Sequence, residues 1–196
     1  NTITDVLKQN EPICNKSNIL RSLGLKKDKF FLATLHRPES VDNYKNLLKL
    51  SKILRTLSIQ FNLPIVFPVH PRTKDKLKKF KIKISNNIKI IEPLRYTDFI
   101  KLLKEIKIVL TDSGGIQEEA AIMGTPCITL RTTTERQITI MKKVNFLAEY
   151  DIKKVQKAAN FFSNKKIKKI SDFGDGNVSV KIYKNLIKIY KKSMKN

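Results

Sequence analysis

The stretch Ile108-Val109-Leu110-Thr111-Asp112-Ser113-Gly114-Gly115-Ile116-Gln117-Glu118-Glu119-Ala120 decides how this chain is read. A short apolar run ends in a turn with a serine and two glycines, and a helical pattern follows at once. Glycines let backbone approach an anion closely. The unpaired N–H groups of a helix's first turn then point at it, and the helix dipole adds partial positive charge. Two glutamates one turn in are suited to accept hydrogen bonds from ribose hydroxyls. The pattern suggests a nucleotide or sugar-nucleotide site. It also serves as an ordinary strand-to-helix turn, because the dipole alone favours glutamate near a helix N-terminus.

Working outward, strands and helices alternate. Residues 30–35, 64–69, 88–91, 106–111 and 126–130 read as buried strands. Helical spacing falls at 43–60, where Leu47, Leu48, Leu50, Ile53, Leu54 and Leu57 share a face, and at 73–80, 97–104 and 115–123. Gly124 is the expected C-cap of the helix after the glycine turn. Residues 144–150 suggest a short sixth strand, 151–162 a helix and 172–176 a turn. A last helix over 177–192 puts Val178, Ile182, Leu186 and Ile189 on one face. The run Lys165 to Lys169 reads as a solvated loop. This order predicts α/β architecture: a Rossmann-like parallel sheet with helices on both faces and a ligand crevice at the strands' carboxyl ends.

Composition sets limits. The 196 residues, 41% hydrophobic and 8% aromatic, suit one packed domain. No apolar run approaches the roughly 20 residues of a membrane span, and the first residues have no signal-peptide pattern. The missing initiator methionine suggests processing or a piece of something longer. Cys14 and Cys127 have no ligand cluster around them, which predicts neither a metal site nor a disulfide framework. A reducing cytoplasm fits them. The net charge of +23 invites a nucleic-acid reading, but only seven of the 40 basic residues are arginine and no aromatics interleave with them. A solvated lysine coat is expected, with nonspecific RNA binding at low salt and no specific nucleic-acid partner.

Every predicted strand end carries polar groups: His36-Arg37-Pro38-Glu39, His70-Pro71-Arg72, Arg95-Tyr96, Asp112 to Gly115, and Arg131 to Arg136. His36, Arg37, His70, Arg72, Arg95, Arg131 and Arg136 together would form a cationic rim for a diphosphate. Arg136 has a second reading, an ion pair with Glu135 or with the Glu118/Glu119 pair. No Ser-His-Asp arrangement is evident. Glu39, Asp112 and Glu118/Glu119 are the carboxylates found at strand ends.

Taken in order, Thr34 to Glu39, Pro68-Val69-His70-Pro71-Arg72, Thr111 to Ala120, Leu130 to Arg136 and Phe173-Gly174-Asp175-Gly176-Asn177 resemble the C-terminal half of non-hydrolysing UDP-N-acetylglucosamine 2-epimerases. The resemblance runs over residues 1–196. It implies one UDP-binding Rossmann-like domain, the second half of a two-domain enzyme of glycosyltransferase-B type whose N-terminal domain this chain lacks. The implied reaction inverts C2 of the sugar, interconverting UDP-GlcNAc and UDP-ManNAc: UDP leaves by anti elimination, giving 2-acetamidoglucal, and adds back after protonation on the other face. It needs no cofactor and no metal.

By that resemblance His36 is catalytic, contacting the phosphates or assisting the departing UDP. Ser113, Gly114 and Gly115 hold the diphosphate, with Arg136 beside it. Glu119 takes the ribose hydroxyls, and Leu94 to Tyr96 flank uracil. Arg37 and His70 match positions of a second, regulatory UDP-GlcNAc site. The implied partners are the UDP-sugar, an N-terminal domain in cis or in trans and a second copy in a homodimer. The family's catalytic carboxylates belong to that other domain, so this chain alone is expected to bind UDP weakly and epimerise nothing. Gln137 stands where the family usually has proline. Two alternatives stay open: the donor-binding half of a UDP-dependent glycosyltransferase, and a basic RNA-binding or sugar-nucleotide-sensing module.

Overall fold

The structure, a computed structural model, describes residues 1–163, 165 and 167–194. Its six strands are β1 (Phe31–Thr34), β2 (Ile65–Pro68), β3 (Ile88–Ile91), β4 (Ile108–Thr111), β5 (Cys127–Thr129) and β6 (Asn145–Leu147). They form one sheet in the order β3-β2-β1-β4-β5-β6, and every pairing is parallel. The chain walks outward from β1 to β3, then returns to lay β4 along the free side of β1, in register from Phe31↔Ile108 to Thr34↔Thr111. The strand order therefore reverses between β1 and β4. Loops leave the two strands in opposite directions there, which opens a crevice at their carboxyl ends.

The helices are α1 (Ile3–Lys16), α2 (Ile19–Ser22), α3 (Pro38–Val41), α4 (Tyr44–Phe61), α5 (Pro71–Lys79), α6 (Tyr96–Glu105), α7 (Gly114–Met123), α8 (Gln137–Met141), α9 (Ile152–Ser163) and α10 (Val178–Ser193). Successive strand residues feed opposite faces of the sheet. Phe31 and Ala33 pack with Leu50, Ile53 and Leu54 of α4 and with Ala158 and Phe162 of α9. Phe30 and Leu32 pack with Leu7 of α1, Leu102 of α6 and Ala120 of α7. Burial on both faces is why these strands read as unbroken apolar runs. Edge strand β3 is half open to solvent and carries Lys89, a residue that discourages further pairing.

The expected helix at 43–60 forms as α4. Asn43 caps it by accepting from Asn46 N at 3.1 Å, and Asn62 closes it in the left-handed region. Gly124 ends α7 at φ +74, and a Cβ there would sit 3.1 Å from the Ile167 carbonyl oxygen. Cys14 and Cys127 are both buried and free, and burial pushes the Cys127 thiol up to about 12. Lys166, in the expected lysine loop, lies outside the described residues, as do residues 195 and 196, beyond the expected last helix.

Four helices were not expected from periodicity. Residues α2, α3 and α8 span only four or five positions each, and α1 contains Pro12, which removes a backbone donor and blurs the pattern. The last helix forms as expected, but its apolar stripe is not core: Ile182, Leu186 and Ile189 are exposed and α10 has no buried residue. Its first turn is held by Asp5 of α1, which accepts from Val178 N at 3.0 Å, from Ser179 N at 2.7 Å and from the Ser179 hydroxyl. Those Ser179 bonds hold the Asp5 carboxyl below the usual carboxylate range. Among the described residues no helix is long and apolar enough to cross a membrane.

Candidate functional site

The decisive turn becomes the N-terminus of α7, at the reversal between β1 and β4. Ser113 is its N-cap residue, yet its side chain makes no capping bond. The N–H groups of Gly114, Gly115 and Ile116 lie in the first turn, where a helix offers no acceptor of its own. The turn's shape is set from below. Buried Thr34 and Thr111 join their hydroxyls at 2.7 Å, and Thr111 Oγ1 accepts from Ser113 N at 3.0 Å. The two glycines differ. A Cβ on Gly115 would meet only Ser113 Oγ at 4.0 Å, so the backbone there faces open space. A Cβ on Gly114 would come 3.1 Å from Arg136 Cζ, because the guanidinium lies directly on that backbone.

Arg136 reaches this place through a buried polar network. Gln117, fully buried in α7, donates through Nε2 to the Ser113 carbonyl at 3.2 Å. Its Oε1 accepts from Thr134 Oγ1 at 2.6 Å and from Asn145 Nδ2 at 3.2 Å. Thr134 Oγ1 in turn accepts from Arg136 N at 3.1 Å. The Arg136 side chain pairs with Glu118 at 3.0 Å and with Glu135 at 3.4 Å. The ion-pair reading and the anion-site reading of Arg136 are thus both compatible with one geometry. Gln137 opens α8 and donates through Nε2 to the Thr134 carbonyl at 2.7 Å.

The two glutamates separate. Glu118 is committed to Arg136, while Glu119 is 7% exposed and sits against Tyr96 at the start of α6. Burial pushes the Glu119 carboxyl up to about 7, against the lowering effect of the Tyr96 hydroxyl that bonds it. Burial and the neighbouring Glu119 raise the Tyr96 phenol in turn.

On the β1 side, His36 and Arg37 follow the strand. The carboxylate of Asp112 is fully buried beneath them, with Oδ2 accepting from both backbone N–H groups at 2.9 Å. The His36 ring is 5.8 Å from that of His70, which N-caps α5 by accepting from Arg72 N at 3.2 Å. Both rings line a cleft of about 230 Å³ walled by Pro68, Pro93, Leu94 and Phe99.

The expected cationic rim forms only in part. Arg37, Arg131 and Arg136 gather about Glu135, whose carboxyl is held low by its own backbone N–H and by these arginines. Arg131 also pairs with Glu39 at 3.3 Å. Arg72 does not join them: its guanidinium is tied to Asp42, whose carboxyl it holds at about 2. A nearby carboxylate beyond the sequence motif, invisible as spacing, captured it. Arg95 is exposed at the N-cap position of α6. The contact that sequence reading missed is the burial of Asp112 under His36, for which the only signal was an acidic residue directly after a strand. Among the described residues no group of three or more His, Cys, Asp or Glu is placed to hold a metal ion.

The family model described as UDP-N-acetylglucosamine 2-epimerase matches residues 1–187. The UDP-N-acetylglucosamine 2-epimerase of Methanococcus maripaludis is 40% identical over 201 residues, covering 95% of this chain and 53% of the relative. That of Methanocaldococcus jannaschii is 40% identical over 193 residues, with the same shares. The crystal structure of the latter enzyme with UDP-GlcNAc and UDP superposes with a TM-score of 0.87 at 39% identity, over 95% of this chain and 53% of that one. The Neisseria meningitidis enzyme bound to UDP-GlcNAc gives 0.83 at 25% identity, over 96% and 54%. The chain spans about half the length of the curated relatives it matches. With its parallel sheet, its strand-end motifs and these matches, the chain belongs to the UDP-N-acetylglucosamine 2-epimerase family.

Proposed function

We propose that this chain is the UDP-binding half of a UDP-GlcNAc 2-epimerase, working with a second domain supplied in cis or in trans. The observation that carries the reading is the unpartnered first turn of α7, open above Gly115 and placed at the sheet's reversal point. The diphosphate lies on the N–H groups of Gly114 and Gly115, beside Ser113 and Arg136. Charge developing on UDP as the C1–O bond breaks is met there by backbone dipoles that need no rearrangement. Glu119 accepts the ribose hydroxyls. Uracil lies along the Leu94 to Tyr96 segment, and His36 meets the phosphates or the departing UDP. Arg37, next to His36 in the chain, and His70, whose ring lies 5.8 Å from that of His36, are assigned to a second, regulatory UDP-GlcNAc. The C2 proton is moved by carboxylates of the other domain. A homodimer and a cytoplasmic setting complete the proposal.

The test separates binding from chemistry. The chain alone should bind UDP in calorimetry, yet leave C2 of UDP-GlcNAc free of deuterium in heavy water. Deuterium at C2 would defeat the assignment of a half-enzyme, and no binding of UDP would defeat the site.

Gly115→Ala gives a sharper measurement, because fold and ligand respond with opposite signs. Apart from its chain neighbours and its own helix backbone, the new methyl meets nothing closer than Ser113 Oγ at 4.0 Å, and alanine suits a helix better than glycine by about 0.5–1 kcal/mol. Stability should therefore hold or rise slightly. A methyl in the diphosphate's place should weaken UDP binding about tenfold or more, equivalent to ~1.4 kcal/mol. Unchanged UDP affinity would place the diphosphate elsewhere.

A further inference from the structure

Asp112 has one carboxylate oxygen whose partner is unaccounted for by the backbone. Oδ2 holds the N–H groups of His36 and Arg37. Oδ1 is buried, and among the described residues no well-aligned hydrogen bond reaches it. The donor in range is His36 Nδ1, 3.0 Å away but off the hydrogen-bond line. An ionised oxygen left dry and unpaired is costly, so it demands a proton from the one ring nitrogen beside it. Such contacts are commonly misaligned before a ligand arrives. The His36 side chain is 34% exposed and lines the cleft, which leaves Nε2 on the ring's far side from Asp112.

We infer that Asp112 is a positioning residue for His36: it fixes the imidazole as the Nδ1–H tautomer and reserves Nε2 for the ligand. The ring then carries its permanent proton on the protein side. When Nε2 gains a proton and donates to a phosphate oxygen, Asp112 balances the imidazolium from the other side. The ligand step rests on the role given to His36 above; the tautomer control does not.

Asp112→Asn tests this with a defined geometric outcome. The two backbone N–H groups require an oxygen at the Oδ2 position, so the carboxamide oxygen must stay there. Its NH2 then takes the Oδ1 position and faces Nδ1. The fold keeps both backbone hydrogen bonds, but Nδ1 must become an acceptor and the proton must move to Nε2.

The readout is imidazole ¹⁵N NMR of the full chain, which has only two histidines, so His36 and His70 can be assigned by substituting His70. The expected result is Nδ1–H in the wild type and Nε2–H in D112N, with the remaining amide spectrum in place. Saturating UDP should bring the wild-type ring to the doubly protonated form and leave the D112N ring singly protonated. The same tautomer in both proteins overturns the inference. If D112N does not fold, the wild type alone decides: an Nε2–H ring overturns it and an Nδ1–H ring supports it. If the tautomer switches as expected but UDP leaves the wild-type ring unmoved, the positioning role stands and the ligand role of His36 falls.

Discussion

Replacing Gln117 with leucine is expected to destabilise the protein by about 3 kcal/mol and to weaken UDP binding at the same time. Leucine fills a similar volume, so the loss is polar. The Ser113 carbonyl loses a donor, and the Thr134 hydroxyl and Asn145 amide lose an acceptor, all around a fully buried position. Each buried group left without a partner costs about 1–3 kcal/mol. The sum is held near the low end because the Ser113 carbonyl keeps the backbone N–H of residue 117 at 3.3 Å and the Asn145 amide keeps Thr139 Oγ1 at 3.0 Å, while the Thr134 hydroxyl proton is left without its acceptor. The functional loss follows from the same bonds, since Gln117 ties the loop bearing Arg136 to the helix bearing Gly114. Urea unfolding and UDP calorimetry measure the two effects. A loss under about 1 kcal/mol would show that the network is not what holds this loop.

Glu119→Gln should do the reverse to stability. Burial raises the folded-state Glu119 carboxyl to about 7, from an unfolded value near 4.5. The folded protein therefore holds the proton more tightly than the unfolded chain. Its stability is full below about 4.5, falls as pH rises toward 7, and then levels off. The penalty above 7 is about 3 kcal/mol, at 1.36 kcal/mol for each pH unit between the two values. Glutamine carries no charge to desolvate and its oxygen still accepts from Tyr96. The variant should match the wild type near pH 4.5 and exceed it by about 3 kcal/mol at pH 8.5. Parallel stability curves across that range would sink the argument. The same substitution should weaken UDP, because an ionised, dry carboxylate is a stronger acceptor for two ribose hydroxyls than an amide.

Most of the sheet was legible because strands buried on both faces leave a plain apolar signature, and the turns between them carry their own punctuation. The runs 30–35, 64–69, 88–91, 106–111 and 126–130 each hold a strand, trimmed by up to two residues at an end. What failed was local reasoning where tertiary contacts take over. The Pro12 helix packs on α6 and α7, contacts that no local pattern announces. The stripe on α10 was read as one apolar face, and the structure leaves it exposed, because amphipathic spacing says only that a face is apolar, not what covers it. Among the arginines, rim membership depended on which carboxylate lay nearest: Asp42 took Arg72, thirty residues away in sequence.

By itself the sequence determined the alternation of elements, the glycine turn before α7 and the set of polar residues at strand ends. These are properties of neighbouring residues, written in period and turn chemistry. Only the tertiary structure decided that β4 returns beside β1, which brings the backbone of His36 and Arg37 onto the carboxylate of Asp112, 75 residues and more along the chain. It alone separated Glu118, paired with Arg136, from Glu119, dry against Tyr96. The physical reason is that charge, burial and tautomer depend on distances through space, and spacing along a chain does not fix those until the sheet has closed.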